Sequence, residues 1–228
     1  MTTPAPGLPP VFILDVDNTL LDNDAIKADM DAQLRALLGD EPTERFWRLY
    51  EDARMASDTV NLPLTLESFA PEVGAPAVME RVRSIVMDYP FAKRLYPDTL
   101  ATLTHLREIG LPAIVSDGDT IYQPLKIERS GLAAAVDWHV LIYVHKEEHL
   151  DEIMARWPAN IYVMVDDKAR ILAETKRRYP DLFVTIHVRQ GHYGLDPQVY
   201  SPAPDLTVDH IGDLRTFTLA QLTRHQDH

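Results

Sequence analysis

Val11-Phe12-Ile13-Leu14-Asp15-Val16-Asp17-Asn18-Thr19 is a short apolar run that breaks off into carboxylates, an amide and a hydroxyl. A run this short and this apolar, stopped by polar residues, predicts a buried strand that delivers Asp15 and Asp17 at its C-terminal end. Four more apolar runs follow the same logic: residues 111–115 ending at Ser116, 140–144 leading to Lys146, 161–165 ending at Asp166 and Asp167, and 182–188. Between them lie helical patterns: Leu100, Leu103 and Leu106 after a capping Asp98 and closed by Gly110; Leu125 and Ile127 before Gly131; Leu150, Ile153, Met154 and Trp157; then Ile171 and Leu172. Strands alternating with helices imply a doubly wound α/β fold, a parallel Rossmann-like sheet covered on both faces.

The stretch from Asp22 to about Lys93 breaks that alternation. Ile26, Met30, Leu34, Leu37 and Leu38 form one helical face with Gly39 placed to end it, a second helix follows Pro42 through Phe46, Leu49, Tyr50 and Ala53, and Val78, Met79, Val82, Ile85 and Val86 form a third face before Pro90. The predicted organisation is therefore an N-terminal arm over 1–10, a core domain over 11–21 and 95–228, and a helical cap over 22–94. The length of 228 residues suits one domain carrying a large insertion.

Composition narrows the classes. With 46% hydrophobic and 25% charged residues the chain reads as globular. Its formal charge of −13 disfavours nucleic acid or an anionic membrane surface as partner. Cysteine is absent, which removes disulfide frameworks, zinc–thiolate sites and thiol nucleophiles together and suits a reducing cytoplasm. The Pro-rich opening MTTPAPGLPP has neither the basic nor the apolar region of a secretory signal, and no run approaches the ~20 apolar residues of a membrane span.

In an open parallel sheet the strand C-termini share one edge, and ligands bind in the crevice along it. Asp15, Asp17, Ser116, Lys146, Asp166 and Asp167 are expected to converge there. Carboxylates, a hydroxyl and an ammonium suit a hard divalent cation, above all magnesium, beside a phosphoryl group. Lys126 and Lys168 compete with Lys146 for the cationic role; Lys146 is preferred because it directly follows a buried strand, whereas Lys126 lies inside a helical pattern. His145-Lys146-Glu147-Glu148-His149 spells a zinc-peptidase pattern, but His145 falls at a strand end, so both histidines read as surface residues at a loop-to-helix junction.

These motifs, in this order and at strand ends, resemble the haloacid dehalogenase-like (HAD) hydrolases over roughly 11–21 and 95–215, including Leu95-Tyr96-Pro97 and Ser116-Asp117-Gly118-Asp119. The resemblance implies that Asp15 is the nucleophile forming an aspartyl-phosphate and that Asp17 serves as general acid and then base, oriented by Thr19. It implies that Ser116, the backbone N–H of Asp117 and Lys146 bind the phosphoryl group. Magnesium would be held by Asp15, the carbonyl of Asp17, and Asp166 or Asp167; the Asp-Asp pair departs from the commoner Gly-Asp and leaves the direct ligand open. A second acid two residues after the nucleophile favours phosphate transfer over dehalogenation, because halide leaves without a proton and an alkoxide does not. The activity so implied is hydrolysis of a small phosphorylated metabolite. The alternatives are a phosphotransferase or mutase of the same fold, and a catalytically silent interaction protein. A receiver domain is disfavoured by the helical insert. Phe46, Trp47 and Tyr50 read as cap packing; Arg45, Arg48, Arg54, Arg81 and Arg83 stay unassigned, and residues 189–194 read as a turn.

Overall fold

The computed structural model describes residues 7–57 and 61–223. In chain order the elements are β1 Val11–Leu14, α1 Asn23–Leu38, α2 Asp40–Ser57, α3 Leu62–Val73, α4 Pro76–Met87, α5 Thr99–Ile109, β2 Leu111–Asp117, α6 Tyr122–Arg129, α7 Leu132–Ala135, β3 Val140–Tyr143, α8 Leu150–Arg156, β4 Tyr162–Asp166, α9 Ala169–Arg178, β5 Phe183–Val188, α10 Gly191–Gly194, β6 Leu206–Val208 and α11 Leu219–Leu222. Most of the expected arm over 1–10 lies outside the described residues.

The strands form one parallel sheet in the order β3-β2-β1-β4-β5-β6. Side chains alternate across each strand. Phe12 and Leu14 therefore join Ile114, Val163, Val165 and Leu103 and Leu106 of α5 on one face, while Val11 and Ile13 join Ala113, Val115, Met164, α8 and α9 on the other. Covering both faces is what makes the strand sequences near-continuously apolar. The doubly wound sheet read from the sequence is the one observed. The chain order reverses between β1 and β4, where Leu14 pairs with Val165, so Asp15 and Asp166 leave the sheet side by side at its switch point.

Three local expectations give way. α2 begins at Asp40, not after Pro42, because a proline in the first turn lacks only an N–H that has no helical partner there. α3 was not singled out within the helical block; Pro63 sits in its first turn, where the Asn61 side chain accepts the Leu64 N–H at 2.9 Å. Asp98 does not cap α5; its backbone is left-handed at φ 64° and its carboxylate pairs with Arg215 at 2.9 Å. Among the described residues no helix is long and apolar enough to cross a membrane.

β6 is also new, and three residues carry no readable period. It is held by chemistry just before it. Buried Asp205 accepts from Lys176 Nζ at 2.6 Å and from the backbone N–H and hydroxyl of Thr185, both at 2.9 Å. Removing one partner of such a pair strands the other in the interior. Asp205→Ala is expected to cost about 3 kcal/mol in urea unfolding; a loss below about 1 kcal/mol would show that β6 docks without it.

Candidate active site

The ends of β1, β2 and β4 and the turn after β3 bring the predicted residues to one edge. Asp15, on the first position past β1, is buried, and its Oδ1 accepts from Lys146 Nζ at 2.5 Å. The same ammonium lies 2.7 Å from Asp166 Oδ2 and donates to the Val115 carbonyl at 3.2 Å. Lys146 is thus the cation in contact with Asp15, the lysine that the sequence reading preferred over Lys126 and Lys168. Asp15, Asp166 and Asp167 each offer a carboxylate oxygen, all within 4.8 Å of one another.

Lys146, in contact, and Lys168, nearby, do not together balance three buried carboxylates. Asp15 Oδ2 and both oxygens of Asp167 have no hydrogen-bond partner, whereas Asp166 Oδ1 accepts the Lys168 N–H at 2.8 Å. Burial, then the charges of Asp166 and Asp15, pushes the Asp167 carboxyl up to about 9. Burial also lifts Asp15 to about 7, against the pull of Lys146. Lys146 is itself held above the usual lysine range by Asp15 and Asp166, despite burial that opposes its charge. Orphaned, mutually repelling, all-oxygen donors are what a hard divalent cation requires.

The turn after β3 is built for Lys146. The Asp117 side chain accepts the Lys146 N–H at 2.8 Å, and His145 turns the chain at φ 61°. The side chain of Asp117 therefore has a role that the sequence reading, which used only its backbone N–H, did not foresee. The zinc pattern is not assembled: His149 stacks on Tyr143 at 4.4 Å and meets Glu152 at 3.0 Å, and among the described residues Asp15, Asp166 and Asp167 are the one candidate metal cluster.

Two expectations about Asp17 change. The Thr19 hydroxyl accepts the Asp167 N–H at 3.0 Å, so it orients the second acidic loop and not Asp17. The Asp17 carboxylate is instead gripped by Lys126, 2.7 and 2.9 Å from its two oxygens. Lys126 is buried, not the plain surface lysine its helical pattern suggested. Ser116 is buried, and its Oγ accepts from Gln123 Nε2 at 2.9 Å. Gln123 was missed, and Lys126 passed over, because an amphipathic eight-residue helix gives no sign of which polar residues point inward.

A cavity of about 650 Å³ opens beside these groups, lined by Asp17, Lys126 and Lys168 from the core and by Lys27, Tyr50 and Arg54 from the helical segment. Phe46 is core, as read, while Tyr50 both packs and faces the cavity. Arg45 pairs with Glu72 at 3.0 Å. The 189–194 turn contains α10, whose His192 binds Asp24 of α1 at 2.7 Å and whose Tyr193 lines the cavity.

No family model matches the chain, and no curated protein does. Solved structures do. A haloacid dehalogenase-like hydrolase from Burkholderia xenovorans is 42% identical with a TM-score of 0.84, covering 93% of this chain and 100% of that one. The chain belongs to the haloacid dehalogenase-like hydrolases. The fold recurs at lower identity in the L-2-haloacid dehalogenase of Xanthobacter autotrophicus, 18% identical at TM-score 0.59, covering 92% of this chain and 98% of that one. It recurs again in the HAD-hydrolase YfnB of Bacillus subtilis bound to magnesium, 14% identical at TM-score 0.60, with the same coverage of 92% and 98%. At those identities the shared property is the fold.

In this HAD-like hydrolase the raised Asp167 carboxyl makes a signed prediction. The folded chain holds that proton more tightly than the unfolded chain, whose carboxyl titrates near 3.8. The associated stability is therefore complete below about pH 4 and lost as pH climbs through about 9. In metal-free protein, Asp167→Asn should raise the thermal midpoint, with a gain over the native chain that widens across that window. A gain independent of pH would show that the carboxyl is not under electrostatic strain.

Proposed function

We propose that this protein is a magnesium-dependent phosphatase that hydrolyses a small phosphate monoester through an aspartyl-phosphate on Asp15. The observation that carries this reading is the second carboxylate, Asp17, which faces the cavity close to Ser116: Gln123 Nε2 reaches Ser116 Oγ at 2.9 Å and Asp17 Oδ2 at 3.4 Å, so one amide nitrogen spans both. An alkoxide leaving group needs a proton delivered beside the phosphoryl site, and halide does not.

In the first step an Asp15 oxygen attacks phosphorus, the ester P–O bond breaks, and Asp17 protonates the departing oxygen. In the second, Asp17 takes a proton from water as that water displaces Asp15 from phosphorus, releasing inorganic phosphate and restoring Asp15 as the carboxylate and Asp17 as the acid. Ser116, the N–H of Asp117 and Lys146 would bind phosphoryl oxygens and stabilise the charge that shifts among them. Magnesium, held by Asp15, the Asp17 carbonyl and Asp167, would offset charge between an anionic nucleophile and an anionic phosphate. Asp167 is the better direct ligand than Asp166, since both of its oxygens lack partners while Asp166 serves Lys146 and the Lys168 N–H.

A cavity of about 650 Å³ suits a metabolite in preference to a folded protein. The helical segment, acting as a cap over 22–94, would exclude bulk water from the aspartyl-phosphate. Dehalogenation, named for several structural relatives, is the weaker reading, because a carbon–halogen bond presents no anionic phosphoryl group to a dication and makes no demand on Asp17.

Phosphate release from a panel of phosphorylated metabolites should require magnesium, stop with chelator and be abolished in Asp15→Asn. Asp17→Asn should lower turnover by roughly 10²–10⁴-fold. Halide release from 2-haloacids with no hydrolysis of any phosphate ester would overturn the proposal.

A further inference from the structure

The steps above leave one inward-facing pair of side chains unused. Lys126 is 3% exposed, a rare depth for an ammonium. Its Nζ touches both Asp17 oxygens, at 2.7 and 2.9 Å, and Asn23 Oδ1 at 3.1 Å, and it stands 5.5 Å from the centre of the Tyr122 ring. One turn earlier on α6, the equally buried Gln123 donates to Ser116 Oγ and Asp17 Oδ2. Its stem lies tight against Gly118, where a Cβ would come within 2.7 Å of Gln123 Cβ. The two polar side chains of α6 thus connect the phosphate-side hydroxyl to the proton-transfer carboxylate through a rigid helical spacing.

A plain staple between α6 and β1 would not need this chemistry. Apolar packing of the same volume holds a helix to a sheet at least as well as a buried ion pair, whose desolvation offsets most of its attraction. What the pair supplies is a fixed place for Asp17, which is 27% exposed and, without Lys126, free to rotate into the cavity. We infer that Lys126 and Gln123 are positioning residues that set where the Asp17 carboxylate stands relative to Ser116. This rests on the reading of Asp17 as the proton-transfer group.

Lys126→Met keeps the stem and removes the ammonium; Lys126→Gln serves if that variant does not fold. A lost constraint of this kind should lower kcat on an alkyl phosphate by about 10- to 100-fold, with KM changed far less. In the Asp17→Asn background the same substitution should lower kcat by less than about threefold, since the group it places is already disabled. Equal losses in both backgrounds, or a loss confined to KM, would overturn the inference. A crystal structure of the Lys126 variant gives a reading independent of turnover: the Asp17 carboxylate should leave its native position. An unmoved Asp17 overturns the positioning role even if phosphate hydrolysis is established, and a displaced Asp17 in a chain that hydrolyses no phosphate ester supports positioning while refuting the phosphatase.

Discussion

An ammonium buried between carboxylates at the C-terminal edge of the sheet is the constraint to which the rest of this molecule is fitted. Lys146 lies within hydrogen-bond range of both Asp15 and Asp166, all three without appreciable contact with water. Charges so placed lose their hydration and recover it only through mutual attraction at well-set distances. Every element around them maintains that setting. β1 and β4 are neighbours in register, so their acidic ends emerge together, and Asp117 holds the Lys146 N–H so that the side chain enters from the β3 side.

The balance is deliberately incomplete. With Asp167 wholly buried and both of its oxygens unpartnered, the edge gathers more carboxyl groups than its ammoniums can hold ionised, and burial and mutual repulsion push Asp167 up to about 9. A structural ion pair has no reason to gather such an excess; a cluster of oxygen donors able to hold a hard cation does. The Thr19 hydroxyl, by holding the Asp167 N–H, keeps the acidic pair turned into this space against its own repulsion.

Chemistry and containment come from different parts of the chain. The sheet edge supplies the reactive groups, while Lys27, Tyr50 and Arg54 of the helical segment form the far wall of the cavity. Two crossings join the segment to the core, where Leu21 bridges Leu95 and the Asp22 N–H donates to the Arg94 carbonyl at 2.8 Å. Under the proposed function, the side chains that would read the leaving group lie on the segment, and those that would handle phosphate lie on the sheet. That division lets one core serve different substrates through changes in the helices alone.

Much of this was legible in the residues. Apolar runs ending in Asp15, Ser116 and Asp166 announced the parallel sheet and its reactive edge, because strand burial and helical periodicity are local properties written in consecutive residues. Lys146 was separable from its rivals by its place after a strand. What stayed hidden depends on contacts between distant segments. Lys126 lies 109 positions from Asp17 and looked like one more lysine on a helix, and Thr19 bonds a backbone 148 positions away. α3 was not picked out between the two stronger helical faces that flank it, and β6 was hidden by its brevity. The sequence by itself determined which residues reach the edge. Only the packed tertiary structure decided which of them pair there, because the energy of a buried ion pair depends on separation and desolvation, and neither exists until the chain has folded.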